Sequence, residues 1–188
     1  MSSSLAPALL LSMPQMLDPN FSRTVVLLCS HSQESGAFGL VVNRPVMTNG
    51  RVVVNLEPPV STDVELRIWV GGPVEPERSW ILVGENSGEP EERRGTRIAD
   101  GIYLSTDPDL LRRMFAPSPP EFARLVVGYS GWAPGQLDNE ILRGDWLVLD
   151  ADAETAFRTD ASRLWQDLVK RARAVRAAPE PQTRSTTS

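Results

Sequence analysis

The sequence has few of the side chains that most often carry chemistry. It contains one cysteine (Cys29), one histidine (His31) and one lysine (Lys170). A single cysteine excludes an intramolecular disulfide and a multi-thiolate zinc site, and it favours a reducing cytoplasm. Because Cys29 follows an aliphatic run, we expect a buried structural thiol rather than a nucleophile. The lone lysine nearly excludes Schiff-base chemistry, since the other basic residues are arginines.

Long apolar runs and known ligand-binding loops are also absent. No segment approaches the roughly 20 apolar residues that a membrane-spanning helix needs, so we expect no membrane association. The short apolar run near the start lacks the basic residues of a signal peptide, and the sequence therefore predicts a cytoplasmic protein. The glycine patterns of dinucleotide and phosphate loops and the acidic loop that binds calcium are missing, which predicts no cofactor and no metal.

The balance of charge gives no general attraction to nucleic acid. The formal net charge is -5 at pH 7, and the predicted last helix, residues 162–177, carries a basic face. No aromatic residues lie between its arginines as a stacking platform would require, so direct nucleic-acid binding is disfavoured. A solvated surface is the favoured interpretation of this face, with an acidic partner as the alternative.

The pattern of what is present predicts an α+β domain. Short aliphatic runs bounded by glycine, proline and asparagine outnumber helical segments and follow one another along the chain, which favours a largely antiparallel sheet with a few packed helices. Residues 24–30 and 38–43 are predicted to form a hairpin, and residues 98–105 a single strand. Helices are predicted near residues 108–115, 134–141 and 162–177. We expect one domain over residues 1–178 and a disordered tail over 179–188.

Catalytic arrangements can be built from the sequence only with difficulty. Ser130 lies in a G-Y-S-G string, which fails the spacing of a nucleophile elbow, and a serine triad would have to use His31 with Asp18 or Asp138. Asp138 and Glu140 would lie about 200° apart on a helix, so they cannot converge on one substrate. We favour Glu140 as a structural acceptor for nearby turn amides over a role as a general acid or base.

The segment GYSGWAPGQLDNEI, residues 128–141, concentrates residues that tight turns need. Gly128 and Gly131 let the backbone turn at the end of a strand, and Trp132 is expected to fold back and anchor the turn. Gln136 and Glu140 lie four residues apart on the short helix that follows, so they share one face.

Four strings in the same order resemble the YqgE/AlgH family of bacterial proteins. They are the segment containing MPQMLDPNF and GLVVNRP, then WVGGPVEPERSWILV, then GIYLSTDPDLL, then VVGYSGWAPGQLDNEILRGDWLVL. The resemblance covers residues 9–150 and extends more weakly to Trp165. It implies an α+β fold whose mixed, mostly antiparallel sheet bends into a partial barrel. One member of the family is named for regulating alginate production and was called a transcriptional regulator, but the family has no established catalytic activity.

We therefore predict a non-catalytic binding or regulatory protein with a polar cleft built by strand-end turns. Arg44 would fix an anionic group, and Asn43 and Gln136 would orient it. Two alternatives remain open: a protein-interaction scaffold whose turns are purely structural, and an enzyme that uses a carboxylate. The predicted ligand-binding residues are Asn43, Arg44, Gly71, Gly72, Gln136 and Glu140. The predicted supporting residues are Met13, Pro14, Pro45, Pro73, Gly131, Trp132 and Gly135.

Overall fold

A computed structural model describes residues 3–158 and 160–177. Within these residues the chain forms twelve strands and four α-helices. The strands are β1 (Ala8–Ser12), β2 (Val25–Ser32), β3 (Gly36–Val41), β4 (Pro45–Met47), β5 (Val52–Val54), β6 (Val60–Thr62), β7 (Arg67–Val70), β8 (Val74–Gly84), β9 (Thr96–Ala99), β10 (Ile102–Ser105), β11 (Ala123–Trp132) and β12 (Trp146–Leu149). The helices are α1 (Pro108–Met114), α2 (Gln136–Leu142), α3 (Ala153–Ala156) and α4 (Ala161–Ala177).

Ten of these strands form one sheet that bends into a half-barrel. The order is β12-β1-β2-β3-β11-β8-β10-β9, with β7 added beside β11 and β4 beside β7. All pairs are antiparallel except β7 with β11, and β5 pairs with β6 as a separate ribbon. The predicted α+β class with a mixed, mostly antiparallel sheet is therefore confirmed. The central strand is β11, because β3, β7 and β8 all pair with it.

Local patterns predicted several elements correctly. β2 and β3 form the expected hairpin, in which His31 pairs with Ala37. Asp107 caps α1 by accepting a hydrogen bond from the Asp109 N–H, and Pro108 occupies the first turn. The single strand expected over residues 98–105 was wrong, because the chain turns after Ala99 and forms two paired strands, β9 and β10.

The core lies on both faces of the sheet. Successive residues of a strand point to opposite faces, and every residue of β1 is buried, so both faces of this strand are covered. One face packs against α3 and α4, and its cluster includes Leu9, Leu27, Leu40, Leu82 and Leu164. The other face packs against α2 near β1 and against α1 near β8. These two clusters include Leu10, Val26, Trp132, Leu137, Trp146, Ile81, Leu110 and Leu125.

Two further predictions concern the ends of the chain and membranes. The predicted disordered tail, residues 179–188, lies outside the described residues, so it stays a prediction. None of the described helices combines the length and the apolar character that crossing a bilayer would require.

Candidate functional site

The predicted strand-end turns are called corners below: the Arg44 corner (residues 43–45), the double-glycine corner (residues 71–73) and the Glu140 corner (residues 128–141). Asn43, in the first of them, bonds to the backbone of a neighbouring segment. The Asn43 carbonyl oxygen Oδ1 accepts a hydrogen bond from the Val25 N–H at 2.9 Å, and its Nδ2 donates to the Arg23 carbonyl at 3.0 Å. A side-chain amide that bridges two backbone groups in this way replaces a strand-to-strand bond at the start of β2. Asn43 thus fixes the point at which the chain enters the sheet.

Arg44, predicted to hold an anion, holds a loop of its own chain. Its Nη1 donates to the Asn20 carbonyl at 2.6 Å, and its Nη2 donates to the carbonyls of Pro19 and Ser22 at 2.9 and 3.0 Å. Partial burial lowers the pKa of Arg44, and the nearby carboxylate of Asp18 opposes that shift. The guanidinium fork therefore closes the loop 18–22 onto the end of β3.

The double-glycine corner is a crossing of two backbones. The Gly71 N–H donates to the Val127 carbonyl at 2.8 Å, and the Gly71 carbonyl accepts from the Ser130 hydroxyl at 3.0 Å. A Cβ atom on Gly72 would lie 2.2 Å from the Tyr129 carbonyl oxygen. This corner has no side chains of its own because β11 passes directly over it.

Glu140 accepts hydrogen bonds from three side chains. Its Oε2 accepts from the indole N–H groups of Trp132 and Trp146, each at 2.9 Å, and its Oε1 accepts from Nε2 of Gln136 at 3.1 Å. The Gln136 carbonyl oxygen in turn accepts from the Ala133 N–H at 3.0 Å. The structural acceptor role is therefore present, but its donors are two buried indoles and a side-chain amide rather than turn amides.

The three predicted corners adjoin one another through backbone and ring contacts. The Val70 N–H donates to the Arg44 carbonyl at 2.9 Å, which joins the first corner to the double glycine. Phe21, in the loop that Arg44 holds, packs against Trp132 and Trp146 with ring centroids 6.1 and 5.6 Å away. The Arg44 corner and the Glu140 corner are thus linked by the single loop 18–22.

The predicted supporting residues occupy strand ends and turns around these corners. The Met13 N–H donates to the Asp145 carbonyl at 2.9 Å, which joins the start of this loop region to the turn after α2. Trp132 is 5% exposed, as expected of an anchor. The remaining positions are Pro14, which lines a small hollow beside α4, Pro45 at the start of β4, Pro73 before β8, Gly131 in β11 and Gly135 at the N-terminus of α2.

The histidine–aspartate pair of the serine-triad hypothesis forms, but the serine is elsewhere. His31 Nδ1 accepts from the Leu5 N–H at 3.1 Å, so Nε2 carries the proton and donates to Asp138 Oδ2 at 3.1 Å. Ser130 is fully buried, and its hydroxyl donates to the Gly71 carbonyl. His31 therefore joins the N-terminal segment, β2 and α2 rather than activating Ser130.

Cys29 is expected to react slowly with a disulfide reagent such as DTNB. Cys29 is half-buried by its exposed area, and the neighbours that shield its sulfur from water raise the pKa of the thiol to about 12 from an ordinary value of 9.0. Between these two pKa values the folded thiol stays protonated while the unfolded thiol ionises, which lowers the free energy of unfolding as the pH rises. The stabilisation is fully present below pH 9 and is lost as the pH rises through 12. At pH 8 the folded protein should be modified far more slowly than the protein in urea. Equal rates would contradict a thiol that its neighbours shield from water.

Several features of the site region could not be recognised in the sequence. Arg124 is 6% exposed, and the indole N–H groups of Trp69 and Trp80 are buried with no acceptor among the described residues. Two hollows of about 550 and 430 Å³ lie at Gly84–Glu85 and at Trp69. No group of three or more potential metal ligands occurs among the described residues. The sequence carried no motif for the buried arginine, the unpaired indoles or the hollows, because each of them combines distant segments.

The fold and these corners define a class of half-barrel α+β proteins whose strand-end turns are locked together by polar side chains. The chain belongs to the AlgH-like family, whose model matches residues 9–175. It is similar to a UPF0301 protein of Myxococcus xanthus, with 38% identity over 169 residues, 89% of this chain and 90% of the relative. A UPF0301 protein of Paracoccus denitrificans is 38% identical over 173 residues, 90% of each chain.

Solved structures share the same architecture. The AlgH protein of Pseudomonas aeruginosa has a TM-score of 0.67 at 30% identity, and the match covers 96% of this chain and 98% of that one. A Corynebacterium diphtheriae protein at 24% identity has a TM-score of 0.65 over 96% of this chain and 90% of its own, which shows the fold alone. The resemblance to the YqgE/AlgH family read from the four sequence strings is therefore confirmed.

Proposed function

We propose that this protein acts in the cytoplasm by binding a partner protein through the surface that its strand-end turns support. This surface, the loop platform, consists of residues 13–22 and 133–145. The observation that carries the proposal is the exposure of two leucines on it. Leu17 is 88% exposed and Leu142 is 84% exposed, although both belong to segments held by buried or bridging polar groups.

The platform is rigid because hydrogen bonds join its two segments. Gln15 Nε2 donates to the Gly144 carbonyl at 2.9 Å, and the Met13 N–H donates to the Asp145 carbonyl. Arg44 fixes the end of the first segment, and Glu140 fixes the second. A surface that is already ordered loses little conformational entropy when it binds, which favours affinity.

The chemistry of the loop platform supports binding over catalysis. Glu140 is engaged by two indoles, and Asp138 is engaged by a buried histidine. A general base must be able to reach a substrate proton, whereas these carboxylates bond to groups of the fold itself. In this proposal any regulatory role operates through a protein partner rather than through direct contact with nucleic acid.

Site-specific photo-crosslinking in cells that produce the protein tests this proposal. A photoreactive phenylalanine analogue at position 17 and one at position 142 should capture the same partner, while the analogue at the exposed position 53 should not. The Leu17→Ser/Leu142→Ser variant should bind the purified partner at least tenfold more weakly than the wild type. The reason is that each leucine that becomes buried on binding contributes about 1.5 kcal/mol or more. The Val53→Ser control should bind like the wild type.

Two results would contradict the partner surface. One is the absence of a common crosslinked protein from positions 17 and 142. The other is equal capture from position 53, because Val53 is also exposed but lies on β5, outside the loop platform.

A second candidate function is the predicted binding of a small anion at Arg44, oriented by Asn43 and Gln136. It is favoured by the contacts that join the three corners. An anion would have to compete with the carbonyls of Pro19, Asn20 and Ser22 for Arg44. Soaking crystals with metabolites and nucleotides would distinguish the two candidates. A ligand bound between Arg44 and Gln136, together with unaltered function of the leucine variant, would favour this second candidate over the partner surface.

A further inference from the structure

A second surface feature is formed entirely by residues outside the loop platform. It is the hollow of about 550 Å³ at the end of β8, called the Phe122 hollow below. Its lining comes from residues 84–86, from Gly101 in the turn between β9 and β10, from Phe122 before β11, and from residues 153–158 at α3. The volume is within the range of small-molecule sites, about 300 to 1,000 Å³.

Backbone contacts join the segments that line the Phe122 hollow. The Gly84 N–H donates to the Phe122 carbonyl at 2.7 Å, and the Glu85 N–H donates to the Gly101 carbonyl at 3.3 Å. A Cβ atom on Gly101 would lie 3.3 Å from the Cβ of Ala153, so the turn packs closely against the start of α3. The walls of the hollow are therefore tied to the sheet rather than carried by a free loop.

Two phenylalanines give this hollow an apolar wall. A Cβ atom on Gly84 would lie 3.0 Å from the Phe122 Cβ and 3.4 Å from Cε2 of Phe157, so both side chains approach the end of β8. Phe157 is buried, whereas Phe122 is 50% exposed. Phe122 also has a φ angle of +51°, a left-handed conformation that is rare for a bulky residue. The half-exposed ring leaves apolar surface at the hollow that a ligand can cover.

The charge that is free at this hollow is negative. Glu85 and Glu154 both line it and are exposed, and neither carboxylate has a hydrogen bond or ion pair within the described part of the chain. The Glu85 carboxylate lies beside the turn, since a Cβ on Gly101 would be 3.8 Å from its Oε2. Arg158 also lines the hollow, but its Nη2 already donates to the carboxylate of Asp167. A cation at the hollow would therefore be stabilised.

We propose that the Phe122 hollow binds a small organic cation, an aromatic or aliphatic amine in its ammonium form. The ammonium group lies near Glu85 and Glu154, and the apolar body packs against Phe122 and Phe157. The face of a phenyl ring also attracts a cation directly. A metal ion suits the hollow less well, because calcium needs about six oxygen ligands and phenyl rings supply none. The site shares no residue with the loop platform and is independent of the partner proposed for that surface.

Phenethylamine, 2-phenylethanol and phenylacetate are the probes that test the site, because they share a phenyl group and differ in charge. At pH 7 the amine is a cation, and it should bind about tenfold more tightly than the neutral alcohol in NMR titrations at millimolar concentration. Phenylacetate should bind more weakly than the alcohol. In ¹H–¹⁵N spectra the amine should shift the backbone amide resonances of Gly101 and Glu154 and leave those of the loop platform unchanged.

Substitutions of exposed side chains locate the charge of the ligand. Glu85→Gln/Glu154→Gln should reduce the preference for the amine over the alcohol to about twofold or less. Glu91→Gln/Glu92→Gln is the control, since it removes the same charge from exposed residues that do not line the hollow, and it should keep the preference. Arg158→Gln should strengthen amine binding severalfold, because it removes a positive charge from the lining.

Phe122→Ala locates the apolar body of the ligand. It should weaken binding of the amine and of the alcohol by a similar factor, severalfold for each, and leave the ratio of the two affinities unchanged.

Each contrary result overturns a stated part of the inference. Equal affinities for the amine and the alcohol would refute the cation, as would equal effects of the two double variants, tighter binding of phenylacetate or weaker amine binding by Arg158→Gln. No binding of any probe, or shifts confined to the loop platform, would refute the site. Unchanged affinities in Phe122→Ala would refute the apolar wall. None of these results bears on the crosslinks from positions 17 and 142, so the two proposals fail separately.

Discussion

Gly128→Ala is expected to lower the free energy of unfolding by at least about 3 kcal/mol or to prevent folding. A Cβ at this position would lie 2.5 Å from the Gly72 carbonyl oxygen, far inside van der Waals contact. The residue also has a φ angle of +71°, at which a side chain costs about 1–2 kcal/mol. Both effects act at the crossing of β11 over the double glycine. Urea unfolding monitored by tryptophan fluorescence measures the loss.

Gly144→Ala separates the two effects of the first substitution. Gly144 has a similar φ angle, +84°, but a Cβ there would have no heavy atom within 4 Å outside its immediate neighbours. The control should therefore lose only the conformational part, about 1–2 kcal/mol. Equal losses for the two variants would show that the close approach of the two backbones contributes nothing to the cost.

Glu140→Ala is the second substitution with a large expected effect, a loss of about 2–5 kcal/mol. Trp132 and Trp146 are 5% and 3% exposed, and both of their indole N–H groups would lose their acceptor. An unsatisfied buried donor costs about 1–3 kcal/mol, so two of them dominate the result. The same urea titration provides the measurement.

Glu140→Gln tests whether the indoles are responsible. Glutamine keeps one oxygen that can accept from the two indoles, but its amide nitrogen faces another donor, Nε2 of Gln136. We expect about half the loss seen for alanine. A loss below about 1 kcal/mol for Glu140→Ala would mean that water satisfies both indoles and that Glu140 does not lock the turn.

The fold could be predicted where short patterns decide local structure. Alternating aliphatic runs and turn residues gave the β2–β3 hairpin, and a capping aspartate followed by proline gave α1. The helix α3 was missed because it is a single turn, Ala153–Ala156, with little apolar content of its own. The turn that divides residues 98–105 between β9 and β10 was also missed, although Asp100–Gly101 is a dipeptide typical of tight hairpin turns and Gly101 has a φ angle of +71°.

The candidate site was harder to predict, because side-chain partners are separated by long stretches of chain. The turn residues could be recognised from their composition, and their adjacency was expected. The partners of Arg44 lie 22 to 25 residues away, and nothing in the sequence distinguishes a carbonyl of the same chain from an external anion. The hollow at Trp69 draws on three separate segments, so only the folded sheet shows it.

The central position of β11 affects how the protein emerges from the ribosome. This strand pairs with β3, β7 and β8, which all precede it in the chain. Until residues 123–132 have been synthesised and released from the exit tunnel, the partner strands expose unpaired edges that can associate with other nascent chains. Completion of the sheet thus coincides with late translation, since β12, which pairs with β1, follows β11 in the chain.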